Sequence, residues 1–283
     1  MEKNSIVEYL KNLAVDTLPA TAPELLKTLG IAVTSTSVLL VTQVAKFLWR
    51  VGLIQVFSDY ESRHLSNIQQ NKLDDIKKYA IKAVYQLMEE DGYNDLHPES
   101  ATYTQNIIEY SEDIIDKALN GAKHNKRILL GSYLGSTIYT LYSSTPNWDN
   151  VFYLSSLIDR LTLRQIILIK LVTNHFDRIE DGENLVCVTN KVAISELKEL
   201  ANQNMWVGLI SYQPDSTYIA IPLKYMYPTE LAKELMDSIL IPDSIEQSIN
   251  DIIKSLDLKP YSNTGLPDFF KMMIMTKLKN TLK

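Results

Sequence analysis

Residues 38–57 read VLLVTQVAKFLWRVGLIQVF, apolar except for Thr42, Gln43, Lys46, Arg50, Gly52 and Gln55. At about 100° of rotation per residue, Gln43, Lys46 and Arg50 fall within roughly 60° of one another, which predicts one broad apolar helix with a narrow basic stripe. Such a helix has two destinations. It is either the centre of an all-α domain with its stripe in water, or a helix that lies on a membrane surface or spans it in an assembly. Upstream, Thr28 to Ala45 carries no charge between Lys27 and Lys46. Eighteen residues make a helix of about 27 Å, close to the roughly 30 Å of a bilayer core. Six of the eighteen are Ser or Thr, including the run Thr34 to Ser37, which favours the core destination. The core reading assigns the cover of the apolar side to Ile68, Ile76, Tyr79 and Val84.

Working outward, Ser5 to Thr17 reads as a first helix stopped by Pro19, and Pro23 suits the first turn of a second. Residues 59–92 read as a charged, exposed helix with one apolar side, ended by Gly92 and Asn94. His97-Pro98 marks a break, and helical spacing resumes over Glu99 to Ala118. There Glu109, Glu112, Asp113 and Asp116 share a face. Such a row can bind a divalent cation, but no helix with Glu-x-x-His spacing accompanies it, so a water-facing row is expected. Lys123, His124, Lys126 and Arg127 read as a basic turn before a helix, with an anion contact as the alternative. Ile128 to Trp148 is uncharged and reads as a buried core helix, in which Gly131 and Gly135 let a neighbouring backbone approach closely.

The whole chain has 283 residues, 28 Lys plus Arg against 34 Asp plus Glu, and 46% apolar residues. These values argue against disorder, collagen and coiled-coil rods, and the length fits two domains or one large domain with an appendage. Nine glycines and ten prolines imply few turns and long helices. Residues 128–240 carry eight bases against twelve acids. That balance opposes a duplex-coating role, since phosphate neutralisation supplies nearly all nonspecific nucleic-acid affinity. The single cysteine, Cys187, fits a reducing compartment, and the first residues show no secretory leader pattern.

In the second half, Leu157 to Phe176 reads as one amphipathic helix, Leu185 to Thr189 as a short strand and Ile194 to Met205 as a helix. Leu209 to Tyr212 and Thr217 to Ile221 flank the turn Gln213-Pro214-Asp215-Ser216, a hairpin signal. Pro228 opens a helix through Leu240. A further helix runs through Ile245, Ile249, Ile252 and Leu256 to Pro260, and Phe269, Phe270, Met272, Met273, Ile274 and Met275 form an apolar cluster suited to adaptable contacts.

Helix, helix, hairpin, helix is the order of a winged-helix domain, and Trp206-Val207-Gly208-Leu209-Ile210 resembles that superfamily's junction between recognition helix and strand. Lys126 to Leu134 together with Leu157 to Gln165 resembles a group of bacterial helical proteins. Some of these are linked with abortive infection and phage defence, the Abi-alpha group among them. That group's apolar N-terminal helix before a charged helix is also similar to residues 28–92. The resemblance spans loosely residues 28–240 and brings no catalytic signature. Two departures stand out: Asp177 to Thr189 is largely turn and strand where a DNA-reading module has a helix, and acids offset bases over Lys191 to Gln203.

The expected architecture is mainly α: a helical domain over 1–150 with its apolar helix near 28–58, a winged-helix-like α+β module over 151–241, and a helical tail over 242–283. The histidines at 64, 97, 124 and 175 form no local zinc motif, no phosphate loop or nucleophile elbow is present, and Cys187 reads as core. No enzyme activity, cofactor, metal or small-molecule substrate is therefore expected. The leading expectation is an interaction or effector protein of the phage-defence type, with a protein partner or self-association, in the bacterial cytoplasm or at the inner membrane surface. The alternative is a DNA-binding transcriptional regulator. Candidate contact residues are Lys191, Lys198, Asn202 and Gln203 for nucleic acid or a partner, and Lys46, Trp49, Arg50, Phe269 and Phe270 for a membrane or a partner.

Overall fold

The computed structural model describes residues 5–15, 21–92, 101–120, 123–142, 147–176, 185–207, 221–222, 226–241 and 245–261. They are mainly helical, and the chain divides into two compact units. The first comprises Met1–Arg160 with Ser238–Pro242, the second Leu161–Asp237 with Asp243–Lys283.

The first unit holds eight helices among the described residues: α1 (Ile6–Val15), α2 (Ala22–Leu29), α3 (Ser35–Arg50), α4 (Leu53–Ser62), α5 (Asn67–Glu90), α6 (Ala101–Asn120), α7 (His124–Tyr142) and α8 (Trp148–Arg160). Pro23 does sit in the first turn of α2. The apolar run over 38–57 is two helices, not the single one expected. Gly52 takes φ 83°, a left-handed conformation that only glycine adopts cheaply, and the chain bends by 77° between α3 and α4. A second break splits the helix expected over 59–92. Ser66 accepts from the Gln69 backbone N–H at 3.4 Å while its own N–H donates to Gln69 Oε1 at 3.1 Å, a reciprocal cap that starts α5. Similarly, Thr34 and Ser37 cap α3.

Most of the apolar run is core. Leu40, Val41, Val44, Ala45, Phe47, Leu48, Leu53, Ile54, Val56 and Phe57 are all buried, as are Ile76, Tyr79 and Val84 of α5. Ile68 was expected among the covering residues, but it is 70% exposed because it lies in the first turn of α5, before the helix reaches its neighbours. α5 and α7 approach backbone to backbone. A Cβ on Gly131 would lie 2.8 Å from the Ile76 carbonyl oxygen, and one on Gly135 would fall on the carbonyl of Ala80. The two glycines therefore permit backbone-to-backbone contact along α7, as their spacing predicted. On the same helix Ser132 and Ser136 donate to the carbonyls of Leu240 (2.5 Å) and Ser238 (2.7 Å), which fastens residues 238–240 to this unit.

In the second unit, α9 (Leu163–Phe176) opens on another reciprocal cap. Thr162 N–H donates to Gln165 Oε1 at 2.8 Å, and Gln165 N–H donates to Thr162 Oγ1 at 3.1 Å. The helix expected over 157–176 is thus interrupted at Leu161–Thr162. β1 (Leu185–Val188) is the middle strand of an antiparallel sheet. It pairs with β3 (Ile221–Pro222), Val188 facing Ile221, and with β5 (Leu258–Tyr261), Leu185 facing Tyr261. Residues 258–261 are therefore strand, not the end of a helix running to Pro260. The helix before them, α12 (Glu246–Ser255), stops short, and Pro260 is tolerated because β5 is an edge strand of this sheet. α10 (Lys191–Asn202) starts at Asn190, whose side chain accepts from the N–H groups of Val192 and Ala193. β2 (Trp206–Val207) pairs with β4 (Tyr227–Pro228), so Pro228 ends a strand and Thr229 caps α11 (Glu230–Ser238). The hairpin expected over 209–221 lies outside the described residues, except for Ile221.

Candidate functional site

α3 contains no acidic residue. Its buried stripe turns the other side outward: Leu39 is 58% and Trp49 44% exposed, Arg50 is exposed, and Lys46, Thr42 and Gln43 are half-buried. At 100° per residue these six positions lie within about 80° of Leu39 on either side. Of the residues expected to make a membrane or partner contact, Lys46, Trp49 and Arg50 thus share one outward face. Phe269 and Phe270 lie outside the described residues. Leu39 is a member of this face that the sequence reading missed. Its signal was the spacing to Lys46 and Arg50, seven and eleven positions on, which repeats a helical face.

On α10, Lys191, Lys198, Asn202 and Gln203 are all exposed. Lys191, Ser195, Lys198 and Asn202 form a row within roughly 60°. Gln203 lies about 120° from Lys191 and leaves that row. Glu196 points elsewhere: its carboxylate accepts from Arg164 Nε of α9 at 2.6 Å, and Arg164 also reaches Ser255 at 2.8 Å. The acid expected to offset the lysines is therefore largely neutralised, leaving Glu199 as the exposed carboxylate of α10.

The acidic row of α6 does face water, with Glu109 and Asp116 exposed and Glu112 and Asp113 half-buried, but its members have protein partners. Asp116 accepts from the buried Tyr60 hydroxyl at 2.6 Å, and Glu112 lies 3.6 Å from Arg63, which stacks 3.7 Å over the Tyr60 ring. Asp113 accepts from Lys117 at 2.5 Å and from Ser155 at 3.1 Å. Burial, followed by the Asp116 carboxylate, raises the Tyr60 hydroxyl well above the ordinary phenol range. No group of three or more His, Cys, Asp or Glu among the described residues is placed to hold a metal ion.

The basic residues expected in a turn before a helix lie, from His124 on, in the first turn of α7, and they are likewise partnered. His124 Nδ1 and Arg127 Nη2 both lie 3.1 Å from the Asp75 carboxylate, and Lys126 faces Asp159 at 3.9 Å. Lys77 is fully buried and pairs with Glu61 and with Asp74, the latter at 2.6 Å. Cys187 is buried in β1, and burial pushes its thiol up to about 12, leaving the thiolate scarce near neutrality.

Among the described residues no single helix is long and apolar enough to cross a membrane. α3 and α4 reach that length and composition only together, across their bend. Set against family models, curated proteins and solved structures, the chain finds no match in any of the three.

Proposed function

We propose that this protein is a non-enzymatic interaction or effector protein of the abortive-infection type, acting in the bacterial cytoplasm or at the inner membrane surface. The observation that carries the reading is the outward face of α3, where Leu39 and Trp49 stay exposed beside Lys46 and Arg50 although the helix buries its opposite side completely. Contiguous exposed apolar patches mark contact surfaces, and Trp and Arg are enriched in them. Phage plating on cells producing the chain tests it. Protection against members of a phage panel is expected, and Trp49→Glu should abolish it at an equal protein level. Protection that is absent across the panel, or indifferent to that substitution, overturns the reading.

A second reading is a winged-helix-like module that binds DNA through α10, favoured by the row Lys191, Ser195, Lys198 and Asn202 and by the pairing of Glu196 with Arg164. Two lysines neutralise few phosphates, so weak binding to random duplex at physiological salt is expected. Nanomolar, salt-sensitive binding lost in Lys191→Glu with Lys198→Glu would promote this reading over the first.

A further inference from the structure

We infer that the first unit binds one water molecule between α6 and α7, held by the hydroxyls of Tyr110, Thr137 and Tyr133 as a polar clasp inside an apolar contact. Among the described residues three buried side-chain polar atoms have no hydrogen-bond partner: the Tyr110 and Thr137 hydroxyls and the Trp206 indole nitrogen. Trp206 belongs to the second unit. The other two come together, because Thr137 and Tyr133 stand close enough to act on the Tyr110 phenol, which burial raises first of all. Tyr110 is wholly buried and Thr137 is 6% exposed, so bulk water reaches neither. A buried hydroxyl left unbonded keeps its whole desolvation cost, and two side by side call for a shared partner.

Thr137 also departs from its own kind. A hydroxyl in mid-helix turns to solvent or bonds back to the carbonyl four residues earlier. Thr28, Thr42 and Thr173 take that carbonyl at 2.9, 2.8 and 2.9 Å, as does the buried Ser111 at 2.6 Å. Thr137 does neither, and the carbonyl it would use, that of Tyr133, accepts from Ser136 Oγ at 3.2 Å. Tyr110 is held in place by its ring, whose centroid lies 6.1, 6.2 and 5.9 Å from those of Tyr133, Trp148 and Phe152. The third hydroxyl has capacity to spare: Tyr133 donates its proton to the Val151 carbonyl at 3.2 Å, which leaves the lone pairs of its oxygen as acceptors. A buried water needs two to four polar partners, and three are on hand. Tyr110 and Thr137 each donate to its oxygen, and it donates to Tyr133 Oη. An ion fits poorly, since three neutral hydroxyls bring no opposite charge to offset its desolvation.

A crystal structure of the full chain that shows ordered solvent tests this, together with melts of its variants. A solvent peak within about 3.0 Å of Tyr110 Oη and Thr137 Oγ1 is expected, lost in Thr137→Val and kept in Thr137→Ser. In solution, oxygen-17 relaxation dispersion should find a long-lived water missing from Thr137→Val. Tyr110→Phe and Thr137→Val should each lower the melting temperature, and the double variant by less than the sum of the two, as residues with a shared partner do. The sign is decisive, because a hydroxyl without a partner is a liability that valine removes. A melting temperature that Thr137→Val leaves unchanged or raises therefore overturns the proposal. So does a direct bond between Tyr110 and Thr137 with no solvent peak beside it, or a relaxation profile that Thr137→Val does not alter. Should Tyr110→Phe fail to fold, the Thr137→Val and Thr137→Ser pair still decides by peak and relaxation.

Discussion

At Gly135 a missing side chain decides how closely α5 and α7 approach, because the Ala80 carbonyl occupies the place a Cβ would take. Alanine has the better helix propensity by about 1 kcal/mol, so on an exposed helix Gly135→Ala would stabilise. Here the added methyl meets backbone, which cannot swing aside as a flexible side chain can, and overpacking of this kind costs typically 1–3 kcal/mol. Gly135→Ala is therefore expected to lower the melting temperature, and Gly131→Ala to do so less, since its Cβ would meet the Ile76 oxygen at a milder 2.8 Å. A melting temperature raised by Gly135→Ala would show that the helices are not in backbone contact. A second residue-scale balance is struck at Lys77, whose buried ammonium has Glu61 and Asp74 to offset its desolvation. A pair of this kind is costly to break from one side, because the remaining charge is left buried and unpaired.

Among the elements, α3 offers the sharpest contrast between neighbours in the chain. Leu48 is wholly buried and Trp49 is 44% exposed, one position on. Leu48→Asp buries a carboxylate without a partner, which costs on the order of 3 kcal/mol or more, while Trp49→Asp, at a ring already partly in water, should cost clearly less. Urea denaturation of the two variants checks this, and a folded, unshifted Leu48→Asp protein would mean that α3 does not use that face as core. The apolar and basic sides of α3 were legible in the sequence because helical periodicity reports faces. So was the close-packing role of the glycines in α7. The helix ends were not, although their signals were present. Ser66 and Thr162 each stand three residues before a glutamine, the pattern of a reciprocal cap, and Gly52 is the residue a sharp left-handed turn requires. A window of apolar spacing runs through such caps whenever the next helix opens with apolar residues of its own, as Leu53 and Leu163 do. The exposed row of α10 was hidden for another reason. Its net charge depends on Arg164 choosing Glu196, 32 positions away, and periodicity says nothing about pairing at that distance.

The behaviour of the whole molecule at high pH follows from its buried phenols. In the first unit Tyr60, Tyr110, Tyr133 and Tyr139 are nearly or fully buried, and burial is the leading cause that raises each of them. Tyr133 is pushed up to about 12, and Tyr139 also donates to Asp91 at 2.9 Å, a bond that ionisation would turn into a repulsion. A phenol raised in the folded state contributes its full stability below the unfolded value near pH 10. Above that pH the unfolded chain releases protons that the folded chain keeps, so stability falls until the folded value is passed. Tyr110 and Tyr133 alone give a slope of up to about 3 kcal/mol per pH unit, against a typical total of 5–15 kcal/mol. Tyr60 and Tyr139 act with the same sign. Urea melts repeated at steps from neutral to strongly alkaline pH should show a plateau, then a steep loss beginning near pH 10, and the part of the tyrosinate absorbance that Tyr133→Phe removes should rise together with unfolding and not before it. Tyr133→Phe should flatten that loss, because the phenylalanine has no proton to release. Its hydroxyl donates to the Val151 carbonyl at 3.2 Å, so the same variant should be slightly less stable at neutral pH, by about 1 kcal/mol. If the absorbance that Tyr133→Phe removes appears in the still-folded protein at the unfolded value, that phenol is open to water, and the packing of α6 against α7 around Tyr110 and Tyr133 has to be redrawn.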